Sequence, residues 1–231
     1  MGYLSEGFVT AFSILFSGQE ETYSAIFTTL RVSTFSTLLT LSAGIPLGFM
    51  LGYYSFPGRR ALRMFSDTLL ALPTVVVGLL VYAFISRSGP LGGFGLLFSL
   101  KGIAVGQFIL GLPIVVSLTA SATEQIENTV RLTLMTLGAS SGQLAASSLW
   151  ESRFAVLAAA MTAYSRIISE VGVSMMLGGN IKWHTRTITT AIALETGKGQ
   201  FAEGIALGIV LLGFAFAVNA AVSITRKRAS S

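Results

Sequence analysis

The chain contains no cysteine, and His184 is its single histidine. Disulfide frameworks, thiol chemistry and Cys/His zinc sites are thereby excluded. Charge is also scarce: 11% of the 231 residues are Asp, Glu, Lys or Arg, against roughly 25% in a soluble domain. So little charge cannot clothe a water-facing surface, and with so few acids the chain does not have the composition of a solvated disordered one either. What is abundant is apolar: 52% hydrophobic residues, 25 glycines, 16 phenylalanines and a mean hydropathy of +0.75. These are the proportions of a membrane protein. A bilayer core of ~30 Å needs about 20 apolar residues per helix, so the length admits roughly five or six spans in one domain covering residues 1–231.

A pI of 9.8 and a net charge of +5 would suggest nucleic acid in a soluble protein. In a membrane protein the location of the charge matters more, and no nucleic-acid partner is expected. Met1 to Glu6 has neither a basic leader region nor an evident cleavage site, so nothing is expected to be cut away.

Five stretches read as helical spans: Val32 to Gly58, Thr68 to Ser86, Gly102 to Thr123, Phe154 to Leu177, and Gly204 to Thr225. Gly7 to Ser17 is apolar but too short to cross, so residues 1–24 are expected to form an outer amphipathic or re-entrant segment. With the N-terminus outside, the inner segments hold eight basic residues against four acids, and the outer ones six against five. Arg59-Arg60 and Arg226-Lys227-Arg228 then abut spans one and five on the inner side, which favours an outside N-terminus and a cytoplasmic C-terminus. Gly44, Gly48 and Gly52 recur every four residues, a small-residue stripe that lets another helix approach closely. Pro46, Pro73 and Pro113 lie inside the expected spans, where they predict kinks.

Glu124 to Arg153 is too polar to be a span and forms a cytoplasmic loop. Leu132 to Ser140 reads as a helix that breaks at Gly138, and Gln143 to Trp150 continues with small and apolar residues. An exposed apolar helix needs either a lipid surface or a protein partner to cover it. A lipid-bound helix would be rich in Lys and Arg, and residues 132–150 contain none. Docking on a partner is the better reading.

The layout resembles the integral membrane subunit of bacterial ATP-binding cassette importers. In that family's loop pattern (Glu-Ala-Ala, three residues, Gly, nine residues, Ile-x-Leu-Pro), Gly138 takes the glycine position within Leu137-Gly138-Ala139-Ser140. Leu132, Thr133 and Leu134 occupy the Glu-Ala-Ala positions, and Ser148 to Glu151 the last four. Phe56-Pro57-Gly58-Arg59-Arg60 and Leu70-Ala71-Leu72-Pro73-Thr74 resemble the molybdate and tungstate permeases. The stretch from Ile168 to Ile181, running on from Thr185 to Thr196, is closer to the tungstate type. The resemblance covers roughly residues 25 to 225.

It implies an all-α membrane protein with the type I importer permease fold, working as a homodimer in the bacterial inner membrane. It further implies two cytoplasmic ATPase subunits, which hold ATP and Mg, and an extracytoplasmic oxyanion-binding protein. Thr136, Leu137, Gly138, Ala139 and Ser140 would form the ATPase-coupling site, and Gly178, Gly179 and Asn180 an outer turn where the binding protein docks. No cofactor or metal is implied for the chain itself.

Arg166 and Glu170 stand one helical turn apart on span four. Two readings are open: they border a translocation path, or they lock the span to a neighbour. Lys182, Arg186 and Lys198 are candidates for attracting an anion at the outer face, and His184 reads as a surface residue. Catalysis by the chain alone is not expected. Its only Gly-Lys pair, Gly197-Lys198, is followed by Gly199 and has Ile192 where a phosphate-binding loop needs its first glycine. The alternative to an importer subunit is a secondary transporter or channel that uses Arg166 and Glu170 as a relay, independent of ATP.

Overall fold

The computed structural model describes residues 7, 9–10, 12–13, 20–125 and 128–230. From Glu20 onward the helices are α1 (Glu20–Tyr53), α2 (Arg59–Leu69), α3 (Thr74–Ile85), α4 (Leu100–Glu124) and α5 (Asn128–Thr136). They continue as α6 (Ser141–Glu151), α7 (Arg153–Ile168), α8 (Gly172–Gly178), α9 (Ile188–Gly197) and α10 (Phe201–Ser230). No strand occurs among the described residues. Three helices, α1, α4 and α10 as far as Ala220, are each long and apolar enough to cross a membrane. The bent pairs α2–α3 and α7–α8 raise the number to five if each counts as one span.

Spans three and five lie close to the expected boundaries. The other three differ, each for a physical reason. Span one begins twelve residues early, because the charge of Arg31 ends an apolar run but does not end a helix. Glu20 and Glu21 sit in its first turn, where negative charge suits the helix dipole. Residues 20–24 therefore belong to α1 and not to the outer segment. Within that segment Gly7 is buried, and a Cβ there would meet Ile205 Cγ2 of α10 at 2.6 Å. Most of Gly7 to Ser17 lies outside the described residues.

The stretch expected as span two is divided, with α2 and α3 bent by 104°. Pro73 is not inside a helix. It takes an extended conformation (φ −61°, ψ 130°) as the N-cap of α3, and a proline also pushes its predecessor, Leu72, away from helical angles. Span four breaks between Ile168 and Gly172 with a bend of 56°. The helix α9, too short to cross a membrane, was absent from the five expected spans. It starts at a Thr187–Thr190 capping box in which each hydroxyl satisfies the other residue's backbone N–H.

The glycine stripe carries the main helix contact. A Cβ on Gly44 would meet Val115 Cβ at 2.8 Å. On Gly48 it would meet the Val116 carbonyl oxygen at 2.6 Å, and on Gly52 the Ala120 carbonyl oxygen at 2.6 Å. The backbones of α1 and α4 approach so closely that only hydrogen fits between them, the geometry that gives dispersion contact in lipid. Lower in the same contact, Ser36 Oγ donates to Gln107 Oε1 at 2.8 Å, both side chains buried.

Two apolar clusters join the other helices. Val77, Val81 and Ile85 of α3 pack with Leu110 of α4 and with Val173 and Leu177 of α8. Ile26 of α1 packs with Ile188 and Ala191 of α9 and with Leu207 and Val210 of α10. Outward-facing residues are apolar too: Leu79, Leu80 and Phe84 on α3, Leu212 and Phe216 on α10, as a lipid-facing surface requires.

Replacing Gly48 with Val should lower the detergent-solubilised melting temperature by the equivalent of about 1–3 kcal/mol of overpacking. Gly208→Ala, where a Cβ meets nothing within 4 Å, should leave it unchanged or raise it.

Candidate functional site

The segment α5–α6, expected from the sequence to couple to an ATPase, is built by local backbone rules. α5 ends in a left-handed residue, Gly138 at φ +80°. The Gly138 N–H bonds to the Met135 carbonyl at 3.0 Å and the Ala139 N–H to the Leu134 carbonyl at 3.1 Å, a Schellman stop. Ser140 then caps α6, accepting from the Gln143 N–H while the Gln143 side chain accepts from the Ser140 N–H at 2.8 Å. Two helices thus meet at a fixed elbow whose apex is Thr136–Ser140. Leu137 at the apex is 78% exposed, Leu132 and Met135 are exposed on α5 before it, and Trp150 is exposed at the far end of α6. A Cβ on Gly138 would meet nothing within 4 Å, so the apex is open to an incoming surface.

Four charged residues root this elbow on the bundle. Arg59 donates to the Leu51 carbonyl at 2.6 Å and the Gly52 carbonyl at 3.2 Å, closing the end of α1, and pairs with Glu124 at 2.6 Å. Arg63 donates to the Ser117 carbonyl at 2.7 Å and lies 3.8 Å from Glu124 and 3.7 Å from Asp67. Glu124 is the last residue of α4, so α1, α2 and α4 are tied together where the coupling segment begins. A cavity of about 660 Å³, lined among others by Tyr54, Arg59, Glu124, Met135 and Leu144, lies beneath the elbow.

Arg166 and Glu170 do come together: Arg166 Nη1 donates to Glu170 Oε2 at 3.0 Å. They differ in surroundings, for the Arg166 side chain is 44% exposed and that of Glu170 only 2%. Glu170 stands in the break between α7 and α8. Its Oε1 accepts from the Val173 N–H at 3.1 Å, and its carbonyl accepts from Thr189 Oγ1 at 3.0 Å. The carboxylate therefore satisfies a backbone donor that the broken helix leaves open.

The Gly178-Gly179-Asn180 turn ends α8 as expected, with Gly179 at φ +70° and Asn180 at φ +50°. Thr185 Oγ1 donates to the Gly178 carbonyl, and Phe98 N–H to the Leu177 carbonyl at 2.7 Å. The three cations expected at the outer face are not free. Lys182 pairs with Glu21 at 2.6 Å, Arg186 hydrogen-bonds the same carboxylate and also Asn180 Oδ1 at 3.2 Å, and Lys198 pairs with Glu195 at 2.9 Å. Each is already matched by a carboxylate, which weakens the case for an anion trap. His184 is exposed. The Glu21 clasp was missed in the sequence because its partners are more than 160 residues away. The Arg59–Glu124 link was missed for a similar reason, although the Arg63–Asp67 spacing of four was visible.

A bundle with broken spans and an apolar elbow between two of them has the build of a transporter's membrane subunit. Relatives give the particular family. The chain is 48% identical over 219 residues, 95% of its own length and 92% of the relative's, to the tungstate uptake system permease protein TupB of Campylobacter jejuni. It is 39% identical over 83% of its length to a probable anion ABC transporter permease of Haloferax volcanii, of which it covers 84%. To the molybdenum transport system permease ModB of Escherichia coli it is 27% identical over 77% of its length, covering 82% of that protein. No protein-family model matches the chain. The chain belongs to the permease family of the tungstate uptake systems, and the helical importer-permease architecture expected from its sequence holds. A non-catalytic subunit fits relatives that are themselves permeases.

Glu21→Gln removes the carboxylate shared by Lys182 and Arg186. Hydrogen exchange of the amides between Ile181 and Arg186 should then accelerate severalfold, with exchange in α4 unchanged.

Proposed function

We propose that this chain, as a homodimer in the bacterial inner membrane, forms the path through which an ATP-driven importer moves tungstate, with molybdate as a second substrate. A strongly hydrated dianion cannot cross hydrocarbon unaided. In this reading the N-terminus is outside and the C-terminus cytoplasmic. A binding protein delivers the anion to the outer face around Gly178-Gly179-Asn180. Two ATPase subunits on the cytoplasmic side hold ATP and Mg, and this chain binds neither.

The observation that carries the reading is the uncovered apolar elbow at Thr136–Ser140. A channel or secondary transporter has no use for Leu137 held out from a rigid, double-capped turn, whereas a subunit that must follow the motion of another protein does. The elbow is stiff in its own hydrogen bonds and continuous, through α6 and Ser152, with α7. Displacement of the apex can thus travel along α7 to its break at Glu170. Closure of the ATPase pair on ATP would in this way move the spans between inward-open and outward-open forms.

Leu137→Asp should weaken co-purification of the ATPase subunits, since one charge would have to be desolvated in an apolar cleft. Gly138→Trp should leave the complex assembled but break the link between hydrolysis and uptake, read as ATP consumed per tungstate taken up by proteoliposomes. Unchanged assembly in the first variant and unchanged coupling in the second would remove the elbow from the mechanism.

A further inference from the structure

Among the described helices that present a face to the surroundings, α7 is unusual. Leu79, Leu80 and Phe84 point outward from α3, and Leu212 and Phe216 from α10, with Phe216 77% exposed. The exposed positions of α7 and its end are Ala155, Thr162, Arg166 and Ser169. Their spacings of seven, four and three put them on one stripe of the helix. By helical rise, Arg166 lies ~20 Å along the axis from Arg153, well within the depth of a ~30 Å hydrocarbon core. A guanidinium at that depth is not tolerated against lipid tails and belongs to a water-filled cavity or a bundle interior.

We infer that Arg166 is the residue that contacts the oxyanion in transit, and that its partner Glu170 does not touch the anion but holds the arginine and the helix break in place. This deepens the importer reading and rests on it. The two members of the pair are differently placed for such a division. Glu170 is buried and spends one oxygen on the Val173 N–H and the other on Arg166. Arg166 gives only Nη1 to Glu170, and its remaining N–H donors have no partner among the described residues. The flanking hydroxyls donate to their own helix, Thr162 to the Ala158 carbonyl at 3.0 Å and Ser169 to the Ser165 carbonyl at 3.0 Å. They keep the stripe polar but leave the guanidinium as its available donor.

A planar fork of N–H groups matches two oxygens of a tetrahedral dianion. The Glu170 carboxylate makes the pair neutral when empty. It thereby holds the affinity low enough for release, as a path for ions requires.

The chain has no cysteine of its own, so single cysteines report directly on which faces meet water. In proteoliposomes holding the complex with its ATPase and binding protein, Thr162→Cys and Ser169→Cys should react with an anionic, water-borne thiol reagent far faster than Phe216→Cys. Sodium tungstate under turnover should slow that reaction. Arg166→Gln should cut tungstate uptake about tenfold, the value of one charge-assisted hydrogen bond, while hydrolysis stimulated by the binding protein persists. Arg166→Lys should recover part of the uptake. Labelling at 162 and 169 as slow as at 216, or normal uptake by Arg166→Gln, overturns the inference. If the unsubstituted complex neither hydrolyses ATP in response to the loaded binding protein nor takes up tungstate, the importer reading fails instead, and the labelling contrast still reports whether the stripe is wet.

Discussion

The close approach of α1 and α4 is the constraint on which the other contacts depend. Within a bilayer no hydrophobic force draws helices together, so association rests on how near two backbones can come. Gly44, Gly48 and Gly52 supply that nearness, and the facing residues Val115, Val116, Thr119 and Ala120 fill it. Once the two axes are fixed, Ser36 lies opposite Gln107, and their buried hydrogen bond adds direction to a contact that dispersion alone leaves free to slide. The same alignment brings the end of α1 beside Glu124, where Arg59 can bridge the two helices. The elbow follows in the chain from the α4 end that these contacts hold.

Much of this was legible from the residues. The glycine stripe, the break at Gly138 and the turn at Gly178-Gly179-Asn180 are local patterns, and local patterns follow from backbone conformation. Spans three and five were legible because apolar runs and helices coincide there. Hydropathy failed where they do not coincide. It joined Thr68 to the helix after Pro73, because apolar residues continue across a bend that proline geometry imposes. It also ran straight through Glu170, where the chain leaves the helix and only the glutamate itself is buried. The Glu21 clasp and the Arg59–Glu124 bridge were not legible at all, since partners far apart in sequence meet only through the packing of the spans between them.

Breaks inside a membrane must satisfy the backbone groups they expose, and the way they do so here divides the molecule. At the α7–α8 break, Glu170 takes the Val173 N–H and Thr189 donates to the Glu170 carbonyl. Beyond it, Thr185 and Phe98 serve the carbonyls of Gly178 and Leu177. α8 is therefore bound to the segments that carry Phe98 and Thr185 and, through Val173 and Leu177, to α3. α7 is one unbroken helix from Arg153 to Ile168 and leads back to the elbow. The break separates α8, which packs on α3 and α4, from α7, which packs on α1 and α4 and carries the elbow, and Arg166 lies on α7 just before it.

The strengths of the ion pairs suit such a division. At the two ends the pairs are partly exposed: Glu21 with Lys182 and Arg186, Glu124 with Arg59 and Arg63. Exposed pairs contribute roughly 0–1 kcal/mol each and are screened by salt, so they fasten the two ends only weakly. Glu170 is different. Its carboxylate is buried, and the Val173 N–H and Arg166 together offset the desolvation of its charge.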